Sequence, residues 1–234
     1  MAGSSNHPPP FLFHGYINHT RVPMKYKLVA FDMDGTLIEQ DSSWWAIHRH
    51  FGVEKEARQN LEAYESGEIN YPEFMRRDIK LWQPTPHISQ IERIFADFKL
   101  APNAADVVSE IHRRNYEIAI ITGGIDVLAE KVAHRLQIDH VLANGLEVDE
   151  RGYLTGEGIF RVEPYMKHEA LMRLIEELDL TFAECVAVGD SKYDANFLKH
   201  AGLGVAIGED IVLARVADVV IKDFGHFNQL LDHL

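Results

Sequence analysis

Three short apolar runs along the chain each stop at a polar turn. Residues 26–31 lead into Asp32-Met33-Asp34-Gly35-Thr36, residues 117–121 into Thr122-Gly123-Gly124, and residues 185–188 into Gly189-Asp190. Apolar runs without polar alternation are the pattern of strands buried on both faces, and such strands deliver polar residues to the carboxyl edge of a parallel sheet. Weaker strand patterns occupy 140–143, 203–207 and 218–221, with amphipathic helical patterns at 104–114, 125–136, 167–178 and 195–200. This alternation predicts an α/β fold, a Rossmann-like parallel sheet core with helices on both faces. Residues 148–160 break the alternation with Asp149-Glu150-Arg151-Gly152, a hairpin-like turn.

Residues 41–99 read instead as four short helices. Asp41 or Ser42 can cap the first and Gly52 follows its end; Gly67 closes the second, Pro72 suits the first turn of the third, and Thr85-Pro86 starts the fourth. A helical insert directly after the first strand's turn is placed to cover the sheet's carboxyl edge. The expected organisation is a leader at 1–23, an α/β core from 24–40 and 100–234, and an α-helical cap at 41–99. The leader holds no Asp or Glu, four of the nine prolines and Arg21 as its one charge, so it is expected to be disordered, with Met24 opening the domain.

Charge and cysteine content narrow the partners. A formal net charge of −13 argues against nucleic acid or an anionic membrane as the main partner. No apolar stretch approaches the ~20 residues of a membrane-spanning helix. The single Cys185 lies in an apolar run, reads as a small core residue and fits a reducing cytoplasm. A small molecule met by local cations is the expected partner; a homodimer is compatible with this reading.

The strand ends carry the chemistry. Asp32 and Asp34 diverge once the strand turns, so one carboxylate can attack while the other exchanges a proton. Thr122-Gly123-Gly124 offers a hydroxyl and backbone amides to phosphate oxygens. Lys167 opens a helix, where the macrodipole disfavours a cation, which points to a purpose outside the helix. Asp190 and Asp194 are hard oxygen donors of the kind Mg²⁺ takes. Each motif alone has an ordinary alternative: surface acids, a plain turn, an exposed lysine, a helix cap. Their order along the chain makes the case.

In these four motifs the chain resembles the haloacid dehalogenase superfamily of phosphohydrolases, over nearly all of residues 25–222. The resemblance implies a nucleophile at Asp32, a general acid/base at Asp34, and phosphate contacts from Thr122, Gly123 and Lys167. It also implies Mg²⁺ held by Asp32, Asp190 and the Asp34 backbone carbonyl, with Asp194 supporting the metal's waters or holding Lys167. A charge count agrees with a metal. Four carboxylates against one lysine repel a phosphate dianion, at roughly 4 kcal/mol per unit-charge pair ~4 Å apart for an effective dielectric of ~20.

The helical cap resembles the phosphoserine phosphatase branch of that family, which implies hydrolysis of O-phospho-L-serine. Asp41 stands where that branch has an acid for the substrate's ammonium, with helix capping as its equal alternative. The arginine implied for the substrate carboxylate is replaced by Asp78, with Arg76 and Arg77 just before it as candidates. Another small phosphomonoester is therefore the alternative substrate. A receiver-type signalling domain and an idle phosphate-binding scaffold are the readings from other classes. His48 and His50 fall on different helix faces and are not expected to pair on a metal.

Overall fold

Six of the expected strand segments, with one strand of the hairpin, pair into a single sheet. The computed structural model describes residues 25–39, 42–227 and 231, so the leader and Asp41 lie outside the described residues. The strands are β1 (Leu28–Phe31), β2 (Glu117–Ile125), β3 (His140–Val148), β4 (Leu154–Ile159), β5 (Cys185–Gly189), β6 (Leu203–Ile207) and β7 (Val219–Ile221). Their order is β4-β3-β2-β1-β5-β6-β7, parallel throughout except for the antiparallel β3–β4 pair. Central β1 pairs on both sides, with Phe31 opposite Ile120 of β2 and Val188 of β5. The three strand ends that carry polar motifs therefore lie side by side.

The insert consists of α1 (Ser43–Phe51), α2 (Glu54–Glu65), α3 (Tyr71–Leu81) and α4 (Ile88–Ile94). The core helices are α5 (Ala104–Arg113), α6 (Asp126–Leu136), α7 (Lys167–Glu177), α8 (Ala195–His200) and the short α9 (Ile211–Ala214). Successive β1 residues face opposite layers. Val29 and Phe31 pack with Val108 of α5 and Val132 of α6, while Leu28 and Ala30 pack with Leu171 of α7 and Phe197 of α8. Phe224 and Phe227 from the C-terminal segment close over Phe31, with ring centroids 6.1 and 6.2 Å away. Cys185 is a buried member of the α7/α8 layer, and burial pushes its thiol up to about 12, so it is inert packing.

Two boundaries differ from expectation. Thr122-Gly123-Gly124, read as a turn, belongs to β2, which continues to Ile125 with a register shift against β3 between Ile121 and Ile125. The bulge fits a pair of glycines, which impose no Cβ on the neighbouring chain. Thr85-Pro86 does not start α4; the Nδ1 of His87 caps it instead, accepting from the Ser89 amide. Pro86 O accepts from Leu154 N at 2.8–3.0 Å range like the reciprocal Ile88 N to Gly152 O contact (3.0 and 2.8 Å), so this segment pairs with the hairpin.

That hairpin is a support for the insert. A Cβ on Gly158 of β4 would lie 2.4 Å from Cε of the fully buried Met75 of α3, so a larger residue here would force the Met75 side chain to move. Phe74, Met75 and Ile79 bury one face of α3, at about 1.5–3 kcal/mol each for a fully buried side chain.

Candidate active site

Asp32 extends the sheet one residue past β1, its amide donating to Val188 O at 2.8 Å. Its carboxylate is buried, and Lys167, the first residue of α7, reaches it with Nζ 2.6 Å from Asp32 Oδ1. The same Nζ lies 2.5 Å from Asp194 Oδ1. Burial alone would lower the Lys167 ammonium, but Asp194 and Asp32 outweigh it and hold the group well above its usual value. Those two carboxylates compensate the cation at a helix start. The other oxygen of Asp194 accepts from the amides of Asp190 (3.2 Å) and Ser191 (3.1 Å) and from Ser191 Oγ (3.2 Å). Asp194 thus ties Lys167 to the turn after β5.

Asp190 leans on the other side of Asp32. Thr36 Oγ1 donates to its Oδ1 at 3.0 Å, and Gly35, at φ +80°, passes so near that a Cβ there would lie 2.4 Å from Asp190 Oδ2. Carboxylate oxygens of Asp32, Asp190 and Asp194 come within 4.8 Å of one another. Burial pushes Asp32 up to about 6 despite Lys167. Burial, then the charges of Asp32 and Asp194, push Asp190 up to about 8. An all-oxygen donor set whose acids resist ionising together is short of positive charge, and a hard divalent cation such as Mg²⁺ fits it.

Asp34 completes the acid cluster. Its Oδ2 accepts from Ser43 Oγ at 2.9 Å, while Oδ1 is buried without a hydrogen-bond partner among the described residues. Burial and the Asp32 charge push it up to about 7, with hydrogen bonds from Ser43 opposing. Ser43, fully buried at the start of α1, also accepts from Ile125 N at 3.2 Å. It escaped the sequence reading because a serine beside a capping serine carries no pattern of its own. Ser43→Ala is expected to lower kcat for an alkyl phosphate roughly tenfold, the loss of one hydrogen bond of about 1–1.5 kcal/mol that orients Asp34. An unchanged kcat would remove Ser43 from that role.

The raised acids set an expected pH dependence. Asp32, Asp34 and Asp190 ordinarily ionise near 3.8 and here only at about 6, 7 and 8. Between about pH 4 and 8 the metal-free folded state binds more protons than the unfolded chain, so stability falls as pH rises. His168, lowered by burial and by His200, works the other way, as do the lowered carboxyls of Glu65, Glu73, Glu110, Asp149, Glu184 and Asp223 at the acid end of this window. Asp190→Asn is therefore expected to raise the stability of the metal-free protein at pH 8 by about 2 kcal/mol, a discount on ~1.4 kcal/mol per pK unit for residual solvent access. A lower metal-free Tm at pH 8 would contradict this charge balance.

A cavity of ≈ 290 Å³ lies between the sheet edge and the insert. Asp32, Asp34, Thr122, Gly123 and Lys167 line its floor, so the structure brings the sequence-predicted core residues together at one site. Thr122 Oγ1 accepts from Gly124 N at 3.0 Å, which folds the bulge of β2 around the hydroxyl. Gly123 O accepts from Tyr71 OH (2.7 Å), Trp44 Nε1 (3.1 Å) and Asn144 Nδ2 (3.1 Å), anchoring the insert to this bulge.

Comparison with known proteins matches this arrangement. The model of the haloacid dehalogenase-like hydrolases matches residues 29–199. The chain belongs to that family. It is similar to the phosphoserine phosphatase of Methanocaldococcus jannaschii, 30% identical over 199 residues, covering 85% of this chain and 93% of the relative. A phosphoserine phosphatase of Albidiferax ferrireducens is 29% identical over 231 residues, covering 96% and 95%. A solved phospho-aspartyl intermediate analogue of phosphoserine phosphatase superimposes with a TM-score of 0.75 at 28% identity, covering 88% of this chain and 99% of that one. As a haloacid dehalogenase-like hydrolase with these relatives, the chain is a phosphatase.

Within this family member the insert departs from the sequence expectation. Arg76 and Arg77 do not line the cavity; both pair with Glu73 of their own helix, at 2.6 and 2.8 Å, and their side chains are 41% and 40% exposed. The helical phase that buries Phe74, Met75 and Asp78 turns both arginines outward. Asp78, 1% exposed, lines the cavity instead. Glu65 at the end of α2 meets the core across the cavity mouth, accepting from Lys192 Nζ (2.8 Å) and Tyr193 OH (2.7 Å). Hydrogen bonds from these two groups hold its carboxyl below the usual range.

Proposed function

We propose that the chain is a Mg²⁺-dependent phosphomonoesterase of the phosphoserine phosphatase type, working through a phosphorylated Asp32. The convergence of Asp32, Asp34 and Lys167 on one cavity, with Asp190 grouped beside Asp32, carries this reading. Asp32, Asp190 and the backbone carbonyl of Asp34 would hold Mg²⁺, which when bound supplies positive charge to the phosphoryl oxygens. Lys167 keeps Asp32 ionised and adds a second positive charge at the phosphate. Thr122 and the amides of the β2 bulge bind the remaining phosphate oxygens.

Asp32 attacks phosphorus and the bond from phosphorus to the alcohol oxygen breaks. Asp34, protonated by its burial, passes its proton to the departing oxygen. Its unpaired Oδ1 is the atom available for that transfer. Asp34 then takes a proton from water, the water oxygen bonds to phosphorus, and the acyl phosphate on Asp32 opens to give inorganic phosphate. Asp194 holds Lys167 in place throughout.

The substrate is a small phosphorylated metabolite, and the named relatives, phosphoserine phosphatases, point to phosphate monoesters of alcohols that carry an amino group. Among the described residues no helix is long and apolar enough to cross a membrane. That, and the buried Cys185, support action in the cytoplasm. Phosphate release from p-nitrophenyl phosphate with and without Mg²⁺ tests the reading. Release that needs the ion is expected; no release at any metal concentration would overturn it.

A further inference from the structure

The part of the cavity beyond the phosphate floor is aromatic and acidic. Trp44, Trp45, Tyr64, Tyr71 and Phe74 line it together with Asp78. The rings form a continuous wall, with centroids 5.9 Å apart for Trp44–Phe74, 5.4 Å for Tyr71–Phe74 and 5.2 Å for Tyr64–Tyr71. The polar ends of three of them are already used. Trp44 Nε1 and Tyr71 OH donate to Gly123 O, and Tyr64 OH donates to Glu163 Oε1 at 3.2 Å. What they present to a ligand is ring surface, with its negative electrostatic face.

The charge of Asp78 is not balanced by a neighbouring cation. Its Oδ1 accepts from Asn60 Nδ2 at 2.8 Å and its Oδ2 meets His48 Nε2 at 3.0 Å. Trp82 Nε1 lies 3.1 Å from His48 Nδ1. An indole N–H only donates, so Nδ1 must accept and the single imidazole proton sits on Nε2, facing Asp78. His48 is thereby a neutral donor. Both oxygens of Asp78 meet a neutral partner, Asn60 on one side and His48 on the other. Among the described residues that line the cavity, Lys167 is the only lysine or arginine, and Asp32 and Asp194 hold it.

We propose that the leaving group under the insert is a small amino alcohol, its ammonium seated between the aromatic wall and Asp78, so that phosphate monoesters of amino alcohols are preferred to phosphoserine. This rests on the phosphomonoesterase reading and specifies its substrate class. An ammonium gains from ring faces and from a buried carboxylate together. A leaving group with its own carboxylate meets Asp78 with like charge and finds no guanidinium among the lining residues; that of Arg58 lies 5.5 Å from the Trp45 ring centroid and is exposed. Recognition by ring faces extends to quaternary ammonium, which has no N–H to donate.

The test compares kcat/KM of the full chain with Mg²⁺ for four esters: choline phosphate, its uncharged isostere 3,3-dimethylbutyl phosphate, ethanolamine phosphate and phosphoserine. Choline phosphate is expected to exceed the isostere at least tenfold, and ethanolamine phosphate to exceed phosphoserine at least tenfold. Asp78→Asn should collapse the first ratio toward one, and Trp45→Leu, at a half-buried position, should reduce it while leaving the carboxylate of Asp78 in place. Equal rates for choline phosphate and its isostere, or phosphoserine as the best ester, would overturn the inference and leave the phosphatase standing. Failure to hydrolyse any ester, p-nitrophenyl phosphate included, would overturn both.

Discussion

Asp32→Asn is expected to abolish steady-state phosphate release, by at least about 10⁴-fold, with no phosphorylated protein recovered after acid quenching. The argument is chemical before it is structural. An amide oxygen is a far weaker nucleophile than a carboxylate, and a reaction split into two displacements loses both when the first cannot start. No neighbouring acid can substitute. Asp194 is committed to Lys167 and the turn after β5, and Asp190 to Thr36. Fold should survive, because Lys167 keeps its 2.5 Å contact with Asp194 and burial already disfavours the Asp32 charge. Near-parental rates in a folded variant would show that Asp32 is not the acceptor.

Asp34→Asn gives the second large effect, and it depends on the ester. General acid–base catalysis contributes about 10²–10⁴-fold, and an alkoxide needs that help far more than a nitrophenolate does. Turnover of an alkyl phosphate is expected to fall by about 10³-fold. With p-nitrophenyl phosphate the first displacement should survive, while hydrolysis of the acyl phosphate, which needs Asp34 as base, stalls. The expected signature is a burst of nitrophenol close to one per active site, followed by a slow steady rate. Equal loss for both esters without a burst would mean that Asp34 acts in placing the metal or the phosphate and not as acid and base.

The two variants separate the partners in a buried acid pair. Asp32 has Lys167 at 2.6 Å, which favours its ionised form, whereas Asp34 has the hydroxyl of Ser43. Under the proposed mechanism, the same burial suits one acid to attack and the other to carry a proton.

Much of this was legible in the chain. Apolar runs ending in Asp32, Thr122 and Asp190 identify central parallel strands, because a strand covered on both faces excludes polar residues until it leaves the sheet. Lys167 stood out by opposing a helix dipole, and the structure supplies the two carboxylates that justify it. Gly52 and Pro72 marked ends of insert helices through backbone conformation, which is a local property.

What the sequence could not show depends on contacts between distant residues. Ser43 meets Asp34 and Ile125 only after α1 docks on the sheet edge. The arginines beside Asp78 looked available for a substrate carboxylate, but the phase of α3 is set by packing Met75 against Gly158, and that rotation sends Asp78 inward and Arg76 and Arg77 out to Glu73. Periodicity fixes which residues share a helix face; which face meets the ligand is decided by the surface against which the helix packs. Reaction chemistry is written in strand ends, whereas substrate choice is written in how the insert lies on them.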